Sequence, residues 1–562
     1  MQNNSQSRPG GEIIVDQLVR QGVDHVFCVP GESYLAVLDA LHDASINVTV
    51  CRQEGGAAMM AEAHGKLTGR PGICMVTRGP GISNALAGIH IAKQDSTPLI
   101  VFVGQIETGM REREAFQEVD YRAVFNTQTK WTTEIDDAAR IPELIARAFH
   151  VAMSGRPGPV VIALPEDMLV QLATVSDAPR VEPVESAPAP EQMAQMATLL
   201  AGAKKPLAIL GGSRWTQEAV EHFVRFAESQ QLPVAVQFRR QHLFPSSHPN
   251  FAGDIGLGIN PKLLKMAQDA DVILLVGGRM SEIASQSYTL LNIPVPKQTL
   301  IHVHPDSQEL NRVYQAALAI NATPAQFVRA AAGLAASDHG TRKDYVDAAH
   351  ATYLEWSDPQ SVSTPGALQM GQVMAYLEDH LEPDAILTNG AGNYATWLHR
   401  FHRFNHFNTQ LAPTSGSMGY GAPAAVGAKR VMPQRQVVCF AGDGCFLMHG
   451  QEFATAVQYG LNIIVLVFDN GMYGTIRMHQ EKHYPGRVSA TNLQNPDFAA
   501  YAVAFGGHGE RVEKNEAFGP AFERAVASGK PAILHCLIDP QAITPTATLD
   551  QLRAAAEKSK TT

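Results

Sequence analysis

VVCFAGDGCF at residues 437–446 and IIVLVFDNGMYG at residues 463–474 decide the fold of this chain. Each stretch opens with an apolar run of the length of a buried strand, and the residues between the runs have the composition of a helix. A strand–helix–strand unit of this size predicts two parallel strands whose carboxyl ends lie side by side. Asp443 and Asn470 follow these two strands. We therefore expect their side chains at one edge of a parallel sheet.

The two strand ends carry oxygen ligands and flexible backbone. A carboxylate and an amide at one edge suit Mg²⁺, which prefers one or two carboxylates together with a diphosphate. Gly442 and Gly444 flank the carboxylate of Asp443. Glycines at these positions allow backbone N–H groups to approach a phosphate, and the following helix adds its positive end. The stretch predicts a site for Mg²⁺ and a diphosphate.

Length and composition exclude several classes of protein. A chain of 562 residues has room for three domains, and 45% hydrophobic with 17% charged residues is typical of a globular protein. A net charge of −10 without runs of Lys or Arg argues against nucleic acid or an anionic membrane as partner. The six cysteines lack CxxC spacing, and the polar start and short apolar runs offer neither a signal region nor a membrane span. We expect a cytoplasmic protein with reduced thiols.

Short apolar strands alternate with helical segments three times along the chain. This pattern predicts the α/β class, with three doubly wound parallel-sheet domains. We place the domains at residues 1–175, 190–332 and 365–545. The first and third look like the same architecture used twice.

Two linkers and a tail separate or follow these domains. Residues 178–191 contain four prolines without periodicity, which predicts a stiff, exposed linker. Residues 332–365 are polar and Ala-rich, and we interpret them as a second linker. The tail at residues 544–562 is predicted to be a helix that packs at an edge or covers a site.

Further motifs, in order and spacing, resemble the thiamine-diphosphate enzymes, and among them the acetolactate-synthase-like group. The resemblance covers nearly the whole chain. It is carried by Glu54 within RQEGGAA, by GPG at 79–81, AFQE at 115–118, GRPGPV at 155–160, GSMGYG at 416–421 and GDG at 442–444. It implies that the first domain binds the pyrimidine half of the cofactor and the third its diphosphate half, on either side of a central domain.

The resemblance also implies a chemistry. A glutamate, here Glu54, hydrogen-bonds the cofactor's pyrimidine and promotes loss of the thiazolium proton. The resulting ylid attacks the carbonyl of a 2-keto acid, and an enamine follows decarboxylation. Glu32 and Gln117 are placed with Glu54 as catalytic residues.

The same resemblance assigns the cofactor contacts. Met418 is the apolar wedge that keeps the cofactor bent, and Mg²⁺ is held by Asp443, Asn470 and the backbone carbonyl of Met472. The cofactor-binding set is Gly392, Asn393, Met418, Gly442, Gly444, Cys445, Asn470 and Met472. In this family the two halves of the cofactor site come from different subunits, so we expect a homodimer at minimum and a homotetramer as the full assembly.

Several positions depart from acetolactate synthase. Glu32 stands where that enzyme has a small residue, and pyruvate-decarboxylase-like enzymes carry an acid at the matching place. Asp469 replaces the first Asn of the expected Asn-Asn pair. His479 stands near the place of an expected Trp, with Arg477 beside it as a side chain that grips a carboxylate or lies at the surface. The paired histidines of the pyruvate-decarboxylase branch are missing from residues 111–115.

These departures leave the reaction open. Acetolactate formation, non-oxidative decarboxylation to an aldehyde, and cleavage of a 2-hydroxyacyl-CoA or related ketol all remain. A homologue without catalysis that serves as a binding protein is a further alternative, and the presence together of Glu54, Asp443 and Asn470 argues against it. A nicotinamide dehydrogenase is excluded by the absence of GxGxxG at a strand–helix junction.

The central domain raises the question of FAD, which acetolactate synthases bind there. Arg156, Gly211, Gly212 and Arg279 occupy comparable motif positions. However, His304 replaces the acid expected after its strand, and neither glycine pair forms the dinucleotide fingerprint. We therefore expect little or no bound FAD.

Overall fold

Three parallel six-stranded sheets form the framework of residues 6–336 and 342–561, which this computed structural model describes. The start of the predicted first domain, residues 1–5, lies outside the described residues, as do residues 337–341 of the predicted second linker and residue 562. Helices flank each sheet, so the predicted α/β class with three doubly wound domains is confirmed.

The first sheet has the strand order β3-β2-β4-β5-β7-β6, and β1 pairs with β8 in a separate antiparallel ribbon. Every residue of β5 and β7 is buried, as expected for parallel strands covered on both faces. The elements are β1 (Arg8–Pro9), α1 (Gly10–Arg20), β2 (His25–Cys28), α2 (Leu35–His42), β3 (Asn47–Val50), α3 (Glu54–Thr68), β4 (Gly72–Val76), α4 (Pro80–Asp95), β5 (Leu99–Gln105), α5 (Tyr121–Phe125), β6 (Trp131–Glu134), α6 (Ile141–Met153), β7 (Pro159–Pro165), α7 (Glu166–Val170) and β8 (Leu172–Ala173).

The central sheet has the order β11-β10-β9-β12-β13-β14. Its elements are α8 (Pro190–Gly202), β9 (Pro206–Leu210), α9 (Gln217–Ser229), β10 (Val234–Gln237), β11 (Phe251–Ile255), α10 (Pro261–Asp269), β12 (Val272–Val276), β13 (Thr299–His304), β14 (Leu318–Asn321), α11 (Pro324–Ala331) and α12 (Arg342–Trp356).

The third sheet has the order β16-β15-β17-β18-β20-β19, which repeats the 2-1-3-4-6-5 arrangement of the first sheet. The expectation of one architecture used twice is therefore confirmed. The elements are α13 (Met370–His380), β15 (Ile386–Asn389), α14 (Tyr394–Phe401), β16 (Gln410–Leu411), α15 (Gly421–Val431), β17 (Val437–Gly442), α16 (Asp443–Phe446), α17 (Glu452–Gln458), β18 (Ile464–Asp469), α18 (Gly474–His483), α19 (Phe498–Ala504), β19 (His508–Val512), α20 (Asn515–Ala527), β20 (Ala532–Leu537) and α21 (Leu549–Thr561).

The chain divides into two compact units that do not follow the order of the sequence. The first comprises residues 1–184 together with 413–434 and 447–463, and the second comprises the rest. Helices α15 and α17 therefore belong with the first sheet although they connect strands of the third. α15 packs closely on α3, because a Cβ at Gly427 would lie 2.8 Å from the backbone oxygen of Met60.

Neither predicted linker matches the structure in full. Within the predicted second linker, α12 is a helix whose Arg342 is buried and donates to the carbonyls of Leu200 and Ala203. The prediction of a linker is therefore wrong for this segment. Its apolar residues do not gather on one face, and this absence of periodicity concealed the helix.

The first predicted linker has neither helix nor strand over residues 174–189 of the described chain, yet it is not simply exposed. Gln17 and Gln21 donate to the carbonyls of Ala178 and Pro179 at 2.9 and 3.0 Å, so hydrogen bonds hold the segment against α1 and the residue that follows it. The tail helix α21 packs on α18 through an apolar cluster that includes Met478 and Leu549. Within the described range, no helix combines the length and the apolar character needed to cross a membrane.

Candidate active site

The carboxyl ends of β17 and β18 carry the predicted diphosphate and metal residues. Parallel pairing sets Gly442 opposite Phe468, so Asp443 and Asn470 follow neighbouring strands as the sequence predicts. Asp443 is buried, Asn470 is half-buried, and Met472 lies two residues further on. Burial, followed by the neighbouring Asp469, raises the pKa of Asp443 to about 6 despite a hydrogen bond from Asn495. This carboxylate therefore lacks a positive partner among the described residues, and a divalent cation would supply one.

Asp469, the departure from the family pair, is the centre of a buried network. Its Oδ1 accepts from the backbone N–H of Gly471 at 2.9 Å and from the Asn495 amide at 2.8 Å. The same amide nitrogen lies 2.7 Å from Oδ2 of Asp443, so it bridges the two acids. Burial acts to raise the pKa of Asp469, but its hydrogen bonds, first among them that from His535, outweigh burial and lower it.

His535 fixes the protonation of this network. Its Nδ1 accepts from the backbone N–H of Phe498 at 3.3 Å, so its ring proton is on Nε2, which donates to Asp469 at 2.9 Å. The Oδ1 atom of Asn495 is buried and has no hydrogen-bond partner among the described residues. With the carboxylate and amide oxygens nearby, it makes the site rich in hard oxygen donors, which fits Mg²⁺. Sequence reasoning missed Asn495 and His535 because neither lies in a motif.

Tyr394 shapes the loop after β15 and the turn after β17. A Cβ at Gly392, whose φ is 153°, would lie 2.6 Å from the Tyr394 ring, and one at Gly442 would lie 3.0 Å from it. The Tyr394 hydroxyl contacts the Cys445 thiol at 3.2 Å. A side chain has no room at Gly392 and little room at Gly442, so glycine at both turns leaves the backbone N–H groups open to a phosphate. A Cβ at Gly444 would likewise clash with a ring, that of Tyr473, at 2.6 Å.

The side chain of Asn393 is already engaged within the protein. It donates to the Ile543 carbonyl at 3.0 Å and accepts from the Thr475 hydroxyl at 2.9 Å. It ties the loop after β15 to the start of α18 and to the segment before α21. Its side chain therefore positions the loop, and a contact with diphosphate would use its backbone N–H.

Glu54 opens helix α3 and points toward α4. The preceding Gln53 caps the helix, because its side-chain oxygen accepts from the N–H groups of Gly55 and Gly56 at 2.6 and 3.2 Å. The side chain of Asn84 donates to Oε2 of Glu54 at 2.9 Å. Glu54 is half-buried, and Asn84 fixes one of its oxygens while the other remains for a ligand.

A buried glutamate from α17 holds the turn that carries Glu54. Glu452 is 0% exposed, and its carboxylate accepts from the backbone N–H groups of Arg52 and Gln53 at 3.1 and 2.9 Å. The Thr455 hydroxyl adds a third bond at 2.7 Å. Burial raises the pKa of Glu452, although the hydrogen bonds from Thr455, Arg52 and Gln53 act in the opposite direction. Glu452 belongs to none of the motifs and lies about 400 positions from Glu54 in the sequence, so sequence reasoning missed it.

A second buried network ties the segment around Met418 to α3. The Tyr420 hydroxyl donates to Glu62 at 2.6 Å, and Lys66 lies 3.1 Å from the same carboxylate. Lys66 also pairs with Asp95, which accepts from the backbone N–H of Thr414 at 2.8 Å. Met418 itself is half-buried. The predicted wedge is thus held between two anchors on the same unit that carries Glu54.

Arg78 contacts Glu32 and the backbone of Phe116, the residue before Gln117. Arg78 is buried, pairs with Glu166, lies 3.4 Å from Glu32 and donates to the carbonyl of Phe116 at 3.2 Å. Glu32 begins a three-residue 3₁₀-helix, and its side chain is 69% exposed. Gln117 is half-buried with φ of 65° and packs against Gly79.

Arg477 and His479 take different positions on α18. Arg477 pairs with Glu481 one turn later at 2.9 Å, and Glu481 is also bound by Arg553 of α21. The carboxylate that Arg477 grips is therefore one of the chain's own. His479 is exposed and stacks on His483.

The glycine pairs of the central sheet are filled by protein atoms. A Cβ at Gly211 or Gly278 would lie 2.0 or 2.2 Å from the side-chain oxygen of Gln237, and one at Gly212 would lie 1.8 Å from the oxygen of Gly277. These glycines serve the close packing of strand ends. His304 is buried at the end of β13, and burial lowers its pKa to about 4.

Three family profiles match the chain in succession. The N-terminal TPP binding domain of thiamine pyrophosphate enzymes matches residues 8–124, the central domain matches 193–331, and the C-terminal TPP binding domain matches 390–536. Each contains strands of one of the three sheets described above.

Similar proteins extend the match along nearly the whole chain. The large subunit of acetolactate synthase isozyme 2 from Escherichia coli is 31% identical over 94% of this chain and 95% of its own length. The acetolactate synthase large subunit of Corynebacterium glutamicum is 32% identical over 92% and 84%, and a probable acetolactate synthase large subunit of Methanocaldococcus jannaschii is 29% identical over 94% and 92%. Together with the residues gathered at the strand ends, these matches show that the chain belongs to the thiamine pyrophosphate enzymes, as a thiamine-diphosphate-dependent member of the acetolactate-synthase-like group.

Proposed function

We propose that this chain is a Mg²⁺-dependent carboligase that removes CO₂ from one 2-keto acid and joins the remaining carbonyl carbon to the keto group of a second. The product would be a 2-hydroxy-3-keto acid, with one CO₂ released. The names of the three relatives above support the carboligase assignment. The observation that carries the proposal is Glu54, oriented by Asn84 in a turn that Glu452 holds.

Each residue has a role in this proposal. Bound thiamine diphosphate would supply a carbon acid whose conjugate base adds to the keto carbonyl. Glu54 would hold a proton at a pyrimidine nitrogen, with Asn84 fixing its orientation. Asp443, Asn470 and the carbonyl of Met472 would hold Mg²⁺ against the diphosphate.

The test is a panel of 2-keto acids with the holoenzyme, in which CO₂, aldehydes and condensation products are measured together. We expect one CO₂ for each condensation product formed. Glu54→Gln should still bind thiamine diphosphate but exchange the thiazolium proton about 10² to 10⁴ times more slowly, the usual contribution of general acid–base catalysis. Exchange at the wild-type rate would remove Glu54 from the mechanism.

Non-oxidative decarboxylation to an aldehyde is the second candidate, and Glu32 is the observation that favours it. An acid at the end of β2 could deliver a proton where carboligases have a small residue. The position of Glu32 weakens this candidate, because its side chain is 69% exposed and lies 3.4 Å from Arg78 in an ion pair. If Glu32 protonates the intermediate, Glu32→Gly lowers aldehyde release and raises the condensation product. An unchanged product ratio would show that Glu32 only begins the 3₁₀-helix and has no part in the reaction.

We also propose a homodimer as the smallest active assembly and a homotetramer as the larger one. The family resemblance supports this, as it divides the cofactor site between subunits. Mixing is a direct test, because a heterodimer of Glu54→Gln and Asp443→Ala would contain one site with neither substitution. Recovered activity after mixing the two inactive variants is the expected result, whereas sites formed within single chains would stay inactive.

A cytoplasmic location and a flavin-free central domain complete the proposal. All six cysteines lie within the described residues, are buried and form no disulfide, which supports a reducing compartment. The side chain of Gln237 between the two glycine pairs supports little or no FAD in the central domain.

A further inference from the structure

Three potential metal ligands meet at the amino-terminal edge of the first sheet, where neither the cofactor nor the substrate is assigned. Asp24 immediately precedes β2, His25 is its first residue, and His64 lies in the last turns of α3. One ligand atom from each side chain lies within 4.8 Å of the other two. Oδ1 of Asp24 is 3.1 Å from Nδ1 of His25 and 3.3 Å from Nε2 of His64.

The two separations from Asp24, 3.1 and 3.3 Å, fit ligands around one tetrahedral ion. Imidazole nitrogens and carboxylate oxygens bind Zn²⁺ at about 2.0–2.2 Å, which sets two tetrahedral ligands about 3.3 Å apart. Two imidazoles and one carboxylate favour borderline ions such as Zn²⁺ and Co²⁺ over the hard ions Mg²⁺ and Ca²⁺. Three protein ligands also leave a fourth position for water.

The histidines are oriented for this role. Nδ1 of His25 is buried and has no hydrogen bond among the described residues, although the Asp24 carboxylate is near. Nδ1 of His64 lies 3.4 Å from the Thr68 hydroxyl, so its proton has a partner there and Nε2 is available to a metal. His64 is only 7% exposed. The imidazole of His64 is therefore held in place beside the carboxylate of Asp24, as a metal ligand would be, and is not free in solvent.

The carboxylate supplies charge and access. The side chain of Asp24 is 66% exposed, which gives an ion a path from solvent. Asp24 is also fixed through its backbone, whose carbonyl accepts from the N–H of Asn47 at 2.9 Å.

We propose that Asp24, His25 and His64 bind one divalent transition-metal ion of the Zn²⁺ class, with water as the fourth ligand. The ion ties the end of α3 to the start of β2. Ten residues separate His64 from Glu54 on the same helix, about 15 Å at 1.5 Å per residue. The site shares no residue with the proposed Mg²⁺ site, and its existence does not depend on the proposed reaction.

Co²⁺ is the probe, because its visible absorption reports a low-coordinate site. The full-length holoenzyme, saturated with thiamine diphosphate and Mg²⁺, is titrated with Co²⁺ and then with Zn²⁺. We expect one Co²⁺ per chain with intense visible bands, displaced by one Zn²⁺. Asp24→Asn and His25→Gln should each abolish the bands. His479→Gln is the matched control, because His479 and His483 form a stacked pair one turn apart on α18.

A second readout separates binding from folding. Zn²⁺ should raise the thermal midpoint of the wild type and of His479→Gln, because a ligand that binds only the folded state stabilises it. It should leave the midpoint of Asp24→Asn unchanged. Asp24→Asn is nearly isosteric at an exposed position, so its turnover without added transition metal should equal that of the wild type. The proposal is overturned if the wild type shows no saturable Co²⁺ bands, or if both Asp24→Asn and His25→Gln retain them.

Discussion

Replacing Glu452 tests whether a buried acid far from the motifs controls Glu54, the proposed catalytic glutamate. In Glu452→Ala the backbone N–H groups of Arg52 and Gln53 lose their acceptor. A buried donor without an acceptor costs about 1–3 kcal/mol. The two N–H groups together would therefore destabilise the present conformation of the turn by about 2–6 kcal/mol. That energy drives the turn to move toward water. A displacement of about 1 Å at a catalytic group costs about 10²-fold in rate, and we expect at least this loss in thiazolium proton exchange.

The assay is hydrogen–deuterium exchange of the bound cofactor by rapid quench and NMR, alongside cofactor affinity by calorimetry. The affinity for thiamine diphosphate should change little, because Glu452 supports the turn and is not among the predicted cofactor contacts. Glu452→Gln keeps an acceptor oxygen, so its rate of thiazolium proton exchange should fall by about tenfold or less. Thr455→Val is the control, since it removes the third hydrogen bond without touching the turn. Wild-type exchange in Glu452→Ala, or an equal loss in Thr455→Val, would refute the reasoning.

Three further outcomes are expected. Asp443→Ala should abolish Mg²⁺-dependent binding of thiamine diphosphate, and unchanged affinity in calorimetry would remove Asp443 from the metal site. Arg553, first among its partners, lowers the pKa of Glu481 to about 2, so Glu481 contributes stability above its ordinary pKa of 4.5 that is lost as pH falls toward 2. Glu481→Gln should therefore reduce the free energy of unfolding by at most about 3 kcal/mol at pH 7 and by almost nothing near pH 2; chemical denaturation at both pH values measures the difference. The purified protein should be colourless, and one FAD per chain in its absorption spectrum would contradict the expectation for the central domain.

The sheets were predictable because their signals are local. Runs such as residues 437–441 and 463–468 are apolar throughout, and the strands they predict are buried in the third sheet. The same reasoning placed Asp443 and Asn470 at adjacent strand ends. It failed at α12, because the apolar residues of this helix are spread around it and a charged residue, Arg342, is among the buried ones. It also gave no hint of β6, because three of its four residues, Trp131–Glu134, are polar and most are only half-buried.

The supports of the site were not predictable, because they join positions distant in sequence. Glu452 and Arg52 are 400 residues apart, and Tyr420 reaches Glu62 across 358 residues. Nothing in either local sequence marks such a pair. A motif identifies the residue that contacts a ligand. The residue that holds this contact residue in position is found only when the fold brings the two together.

Asp469 shows how the structure changes the interpretation of a departure from a motif. From the sequence, an acid in place of an amide beside Asp443 adds a like charge at neighbouring strand ends, which disfavours ionisation of both carboxylates. The structure offsets that charge twice. Asn495 donates to both acids from one nitrogen, and His535 donates its Nε2 proton to Asp469 alone. As a result the pKa of Asp469 is lowered while that of Asp443 is raised, so the two acids differ in their need for a cation. The acid at residue 469 is thus compensated by His535 on the adjacent strand β20, and Asp443 is left without a cationic partner among the described residues.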